Sequence, residues 1–175
     1  MRRATTLLAV AILAGCAAVA PDDTPPSHPI LAPALGKPIT EADVAPWNLD
    51  VSPDGTGLPS GSGTAAEGAP IYAVRCAHCH GEKGRDGPAD PLTGEANSVG
   101  AYWPYATTLF DYLRRAMPYE APGSLGNDEL YALTAWVLHL DGIVSQDQRL
   151  DRENLPEVAM PNRDGFHSTW WPEKR

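Results

Sequence analysis

Cys76-Ala77-His78-Cys79-His80 governs the reading of this sequence. Cys-x-x-Cys followed directly by His is the attachment sequence of c-type haem. At this spacing two thiols can add across the two vinyl groups of one porphyrin, and the histidine falls under the iron as its proximal ligand. A bare Cys-x-x-Cys would also suit a redox disulfide or half of a zinc site. A zinc site needs four ligands, and the only other cysteine is Cys16, sixty residues upstream. A thioredoxin-like disulfide needs a strand before it and a βαβ pattern around it, and neither is legible. One covalently held haem c is therefore the expected cofactor, with His78 a spacer inside the motif.

The sixth iron position calls for a second ligand, and a methionine opposite histidine is the usual pair in electron-transfer cytochromes c. Beyond Met1 the chain offers Met117, 37 residues after His80, and Met160 far down the tail. Met117, between two expected helices, is the preferred ligand over Met160. His28 falls in a proline-rich tether, His139 on a helix near its end and His167 in the tail.

The 18 prolines and 16 glycines are too many for a helical bundle throughout. Residues 1–15 pair a basic start (Arg2, Arg3) with a short apolar run, the layout of a secretory signal. That run is shorter than the ~20 residues a membrane-spanning helix needs. Leu13-Ala14-Gly15-Cys16 resembles the lipobox of bacterial lipoproteins. The resemblance implies cleavage before Cys16, acylation of that cysteine, and a lipid anchor to a bacterial membrane on the periplasmic side. A plain signal cleaved after Ala18 or Ala20 would instead release the chain into the periplasm.

Residues 16–63 read as a tether and extended arm whose second half (Trp47, Leu49, Val51, Leu58) can lie against the domain C-terminal to it. Three helices are expected in residues 64–142. Thr64 with Glu67 makes a capping box for the first, with Ile71, Val74 and Ala77 on one face. The second runs from Thr107 to Arg115 and stops before Pro118. The third is capped by Asn127 or Asp128, carries Leu130, Leu133, Val137 and Leu140, and ends at Gly142. No paired strands are expected, so the fold class is all-α. Residues 143–175, with Phe166, Trp170 and Trp171, read as an irregular wrapping extension.

With the haem motif, Met117 and three helices, residues 64–142 resemble a class I cytochrome c domain. The resemblance implies a close crossing of the first and last helices at Gly68 and Trp136, supported by Tyr72, and a Pro88 carbonyl that orients His80. A narrower resemblance spans residues 35–166 and rests on Pro53–Pro59, Tyr102–Tyr112, Ala116-Met117-Pro118 and Met160–Phe166. These segments are similar to the cytochrome subunits of bacterial Sox sulfane dehydrogenases. That family implies a molybdenum-containing sulfite or sulfane dehydrogenase partner. It also implies contacts of Trp103 and Tyr105 with the haem propionates, and Arg114 or Arg115 as their counter-charge. Some members carry a second haem domain, whereas one Cys-x-x-Cys-His motif is present in these 175 residues.

The formal charge of −9 excludes nucleic acid as a partner and favours a redox protein with a basic docking face. The expectation is a monohaem electron carrier, not an enzyme by itself, working between a periplasmic dehydrogenase and the respiratory chain. Two other classes fit the motif. One is a haem-based ligand sensor or peroxidase-like enzyme with a labile sixth ligand, and the other is a structural lipoprotein module that uses haem for folding.

Overall fold

The structure, a computed structural model, describes residues 36–167. The chain divides into two compact units, Met1–Pro38 and Ile39–Arg175. Of the first, only residues 36–38 are described, and all three are exposed. The signal sequence, Cys16, His28, Trp170 and Trp171 lie outside the described residues.

The second unit is helical, as its sequence suggests. Its elements are α1 (Glu41–Val44), β1 (Ser62–Gly63), α2 (Ala65–Arg75), α3 (Ala77–His80), α4 (Val99–Tyr102), α5 (Ala106–Ala116), α6 (Asn127–Leu140), β2 (Leu150–Asp151) and a 3-10 turn at Leu155–Glu157. Among the described residues no helix is long and apolar enough to cross a membrane.

The capping box at the start of α2 forms as expected. Thr64 Oγ1 accepts from the Glu67 amide at 3.2 Å, and the Glu67 carboxylate accepts from the Thr64 amide at 2.8 Å. The buried face of α2 differs from expectation. Ala65, Gly68 and Tyr72 point inward, whereas Val74 is 76% exposed. The reason is that α2 packs chiefly on α6, and Gly68 sets where they cross. A Cβ at Gly68 would run into the Ala132 carbonyl and lie 3.0 Å from Trp136 Cβ. The crossing of Gly68 with Trp136 is thus as expected, and the Tyr72 and Trp136 rings meet beside it at a tilt of 53°, 6.2 Å between centres.

α6 is buried along most of its circumference, from Leu130 through Ala135 and at Val137 and Leu138. Its N-cap is Gly126 rather than Asn127 or Asp128. The Gly126 amide donates to Glu129 at 2.8 Å, while Asn127 and Asp128 turn back to hold Ser60 and Ser62. α5 presses Phe110 against Tyr131 of α6 at 4.6 Å.

Three other features depart from the sequence reading. The arm contains α1, capped by a Thr40–Asp43 capping box. A short antiparallel ladder pairs Ser62 with Asp151 and Gly63 with Leu150, where no strands were expected. In the arm, Leu58 is buried and Val51 packs on the core, but Trp47 is 83% exposed. From the tail, Leu150, Leu155, Val158 and Met160 are buried in the same core as α5 and α6.

Candidate haem site

The motif straddles the joint between α2 and α3. Cys76 caps α2, and the amides of Cys79 and His80 both donate to its carbonyl, at 3.1 and 3.0 Å. This single turn places Cys76, Cys79 and His80 along one wall of a cavity. Tyr72 donates its hydroxyl to the Gly81 carbonyl at 2.9 Å, which ties the end of the motif back to α2.

Beyond His80 the chain doubles back in a closely bonded loop. Ala89 donates to the Cys79 carbonyl at 2.9 Å, Leu92 to Gly84 at 2.7 Å, and Thr93 Oγ1 to Lys83 at 2.7 Å. Gly87 lies so near the Cys79 carbonyl that a side chain there would collide with it. This loop brings the Asp90 carbonyl to 3.0 Å from His80 Nδ1. A carbonyl only accepts, so Nδ1 carries the proton and Nε2 keeps the lone pair that a metal requires. The orienting carbonyl is therefore that of Asp90, two residues beyond the expected Pro88. The loop's internal bonds, not the proline, decide which carbonyl faces the ring.

The cavity has a volume of about 490 Å³. Its walls are mainly apolar, with Leu109 and Leu113 from α5, Leu133 and Val137 from α6, and Leu92 and Val99 from the loop side. Met117 reaches it from the end of α5, where its amide donates to the Leu113 carbonyl at 3.2 Å. Met160 is instead only 3% exposed within the packed core and does not line the cavity. Cys76 and Cys79 are both free of disulfide bonding, and burial pushes the Cys76 thiol up to about 11. It is therefore a protonated thiol at neutral pH.

Of the residues expected at the propionates, the structure brings only Trp103 to the cavity, where its ring meets Tyr112 edge-on at 5.6 Å. Tyr105 lies under the Arg163 guanidinium, 4.9 Å from ring centre, away from the lining. Arg115 is engaged with Asp111 and Asp50, and Arg114 with the Leu49 carbonyl. Both arginines turn outward because carboxylate and carbonyl partners on the arm lie within reach. Arg75, Asn97 and Tyr112, for which the sequence alone implies no role, also line the cavity. The one available signal is the place of Arg75 immediately before the motif. His78 faces Glu120 at 3.8 Å at the rim, and His139 Nδ1 lies 3.0 Å from the Val144 carbonyl. Neither is needed as a ligand.

A cavity of this size lies within the roughly 300–1,000 Å³ of cofactor pockets. Apolar walls, two unpaired thiols, an oriented imidazole and a thioether are a donor set that fits haem. The fold itself is shared with known proteins. A chain of the sulfane dehydrogenase SoxCD from Paracoccus pantotrophus superposes with a TM-score of 0.70 at 36% identity, covering 77% of this chain and 71% of that one. This chain is a class I c-type cytochrome. Residues 63–137 of the cytochrome also match the family described as cytochrome c oxidase, cbb3-type, subunit III. A search of curated proteins returned no match. The cytochrome's role is electron transfer.

Proposed function

We propose that Cys76 and Cys79 would hold a single haem c through thioethers, and that His80 Nε2 and Met117 Sδ would supply the ligands to its iron. In this reading the cytochrome carries electrons one at a time from a molybdenum-containing dehydrogenase subunit that oxidises sulfane sulfur or sulfite to the respiratory chain. The observation that supports the reading best is the convergence of both thiols, the Asp90-oriented imidazole and the Met117 thioether on one apolar cavity. When bound, the haem supplies reversible one-electron chemistry at iron.

The chain's own residues account for the rest. His80, with Nδ1 hydrogen-bonded, is a more basic ligand held in one orientation. The Met117 thioether favours the reduced state. The leucine and valine walls exclude water. Likeness to a chain of a sulfane dehydrogenase supports the choice of partner, and the net charge of −9 supports a basic docking face on it. We place the protein on the periplasmic side, anchored through lipid on Cys16.

The test is maturation of the chain in a host able to attach c-type haem, followed by a pyridine haemochrome spectrum. A spectrum of haem with both vinyl groups saturated, at one haem per chain, is expected. A colourless product would end the reading. Mixing with a purified sulfane dehydrogenase catalytic subunit and its substrate should then reduce one haem per chain. Absence of reduction by it would leave the cytochrome but remove the partner.

A further inference from the structure

Arg115 does not face the cavity, and its contacts give it a different task. Its Nε meets both Asp111 oxygens at 3.1 and 3.0 Å, and its Nη2 meets Asp111 Oδ2 at 2.9 Å. The same Nη2 reaches Asp50 at 2.8 Å. Asp111 Oδ1 also accepts the Val51 amide at 3.2 Å, and Arg114 donates to the Leu49 carbonyl at 3.4 Å. Three consecutive arm residues are thus each held by α5. The inner carboxylate is sheltered, with the Asp111 side chain 21% exposed against 76% for Asp50.

The contact falls where a helix is weakest. The last turn of a helix lacks partners for its carbonyls and frays most readily. In α5 that turn carries Arg114 and Arg115 and runs directly into Met117. We propose that the Asp50–Arg115–Asp111 latch is a positioning device that holds the last turn of α5, and so keeps Met117 turned into the cavity. Arg115 acts on the iron ligand through the backbone and not as a counter-charge to the haem. The arm is accordingly part of the redox site's mechanics. The inference rests on Met117 being the sixth ligand.

Its test uses the matured full-length protein and cyanide, which displaces a methionine from ferric haem at a rate limited by how often the methionine lets go. The methionine–iron absorption near ~700 nm reports the loss. At low salt, Arg115→Gln and Asp111→Asn should raise the displacement rate about fivefold and Asp50→Asn about twofold, with Arg115→Lys recovering part of the loss. The wild-type rate should climb with salt, because the outer half of the latch is exposed, whereas that of Arg115→Gln should stay flat. The Val51 amide should lose hydrogen-exchange protection in Asp111→Ala, which removes the acceptor that Asp111→Asn keeps. Wild-type displacement rates in Arg115→Gln and Asp111→Asn would overturn the latch and leave Met117 as ligand. A response to Arg115→Gln alone, with both aspartate variants unchanged, would also overturn it, because Arg115 would then act elsewhere. Lack of the ~700 nm band in the wild type would overturn the ligand reading and the latch together. The salt series needs no substitution, so the test survives a variant that fails to fold.

Discussion

Replacing Gly68 with alanine drives a methyl group into the crossing of α2 and α6. The new Cβ would collide with the Ala132 carbonyl, lie 2.5 Å from its carbon and sit 3.0 Å from Trp136 Cβ. Ordinary carbon contacts lie at about 3.5–4.0 Å, so the helices must part by roughly an ångström. The partner atoms are backbone and a Cβ, which no rotamer change can move aside. Overpacking of this kind costs about 1–3 kcal/mol and occasionally more, while alanine's better helix propensity returns about 1 kcal/mol. Because backbone is what the methyl meets, the top of that range applies, and the expected balance is a loss of about 2 kcal/mol. For a unit of this size that is a fall in melting temperature of roughly 5–10 °C. Because Tyr72 on α2 and Leu133 and Val137 on α6 line the cavity, the haem Soret band should shift as well. Differential scanning calorimetry of the haem-loaded variant measures the first effect and absorption spectroscopy the second. A variant that melts at or above the wild type would show that propensity outweighs the close approach, and the account of the crossing would be wrong.

The two methionines separate cleanly. Met117→Ala should abolish the ~700 nm band and lower the reduction potential, whereas Met160→Ala should keep both and cost about 2–5 kcal/mol in chemical denaturation, as core truncations do. Tyr72→Phe removes the bond to Gly81 and should cost about 1 kcal/mol at neutral pH. Burial pushes the Tyr72 hydroxyl up to about 12. Its contribution is therefore fully present below pH 10 and lost as pH rises through 12, so urea midpoints of wild type and Tyr72→Phe should converge across that window. Finally, the rate of reduction by a partner with a basic face should fall steeply as ionic strength rises in stopped-flow mixing. A flat salt profile would remove charge from the account of docking.

What could be read from the chain was local. The Cys76–His80 motif, the Thr64–Glu67 capping box and the stop before Pro118 each involve residues within a few positions; the box and the stop form as expected, and the motif makes a single turn along one cavity wall. The Thr40–Asp43 box is equally local, but no apolar period continues beyond it, so nothing in the sequence announces α1. The remaining surprises depend on distant partners. Nothing near Arg115 signals Asp50, which reaches it only because the arm crosses α5. Gly126 takes the N-cap because Asn127 and Asp128 are drawn to Ser60 and Ser62. Likewise Met160 is a rival ligand by composition alone, and only the packing of the tail places it in the core. The choice of Asp90 over Pro88 turns on loop hydrogen bonds that span up to ten residues.

The loop behind His80 has a consequence for anyone who would retune this cytochrome by grafting. Its bonds run from Cys79 to Ala89, from Gly84 to Leu92, from Lys83 to Thr93 and from Gly94 to Asp141, and one of its carbonyls selects the tautomer of the ring. Residues 81–94 are thus exchangeable only as a whole cassette. A donor piece that matches in length but lacks a glycine where Gly87 abuts Cys79 would misplace the carbonyl, and the imidazole would lose the hydrogen bond that aims it.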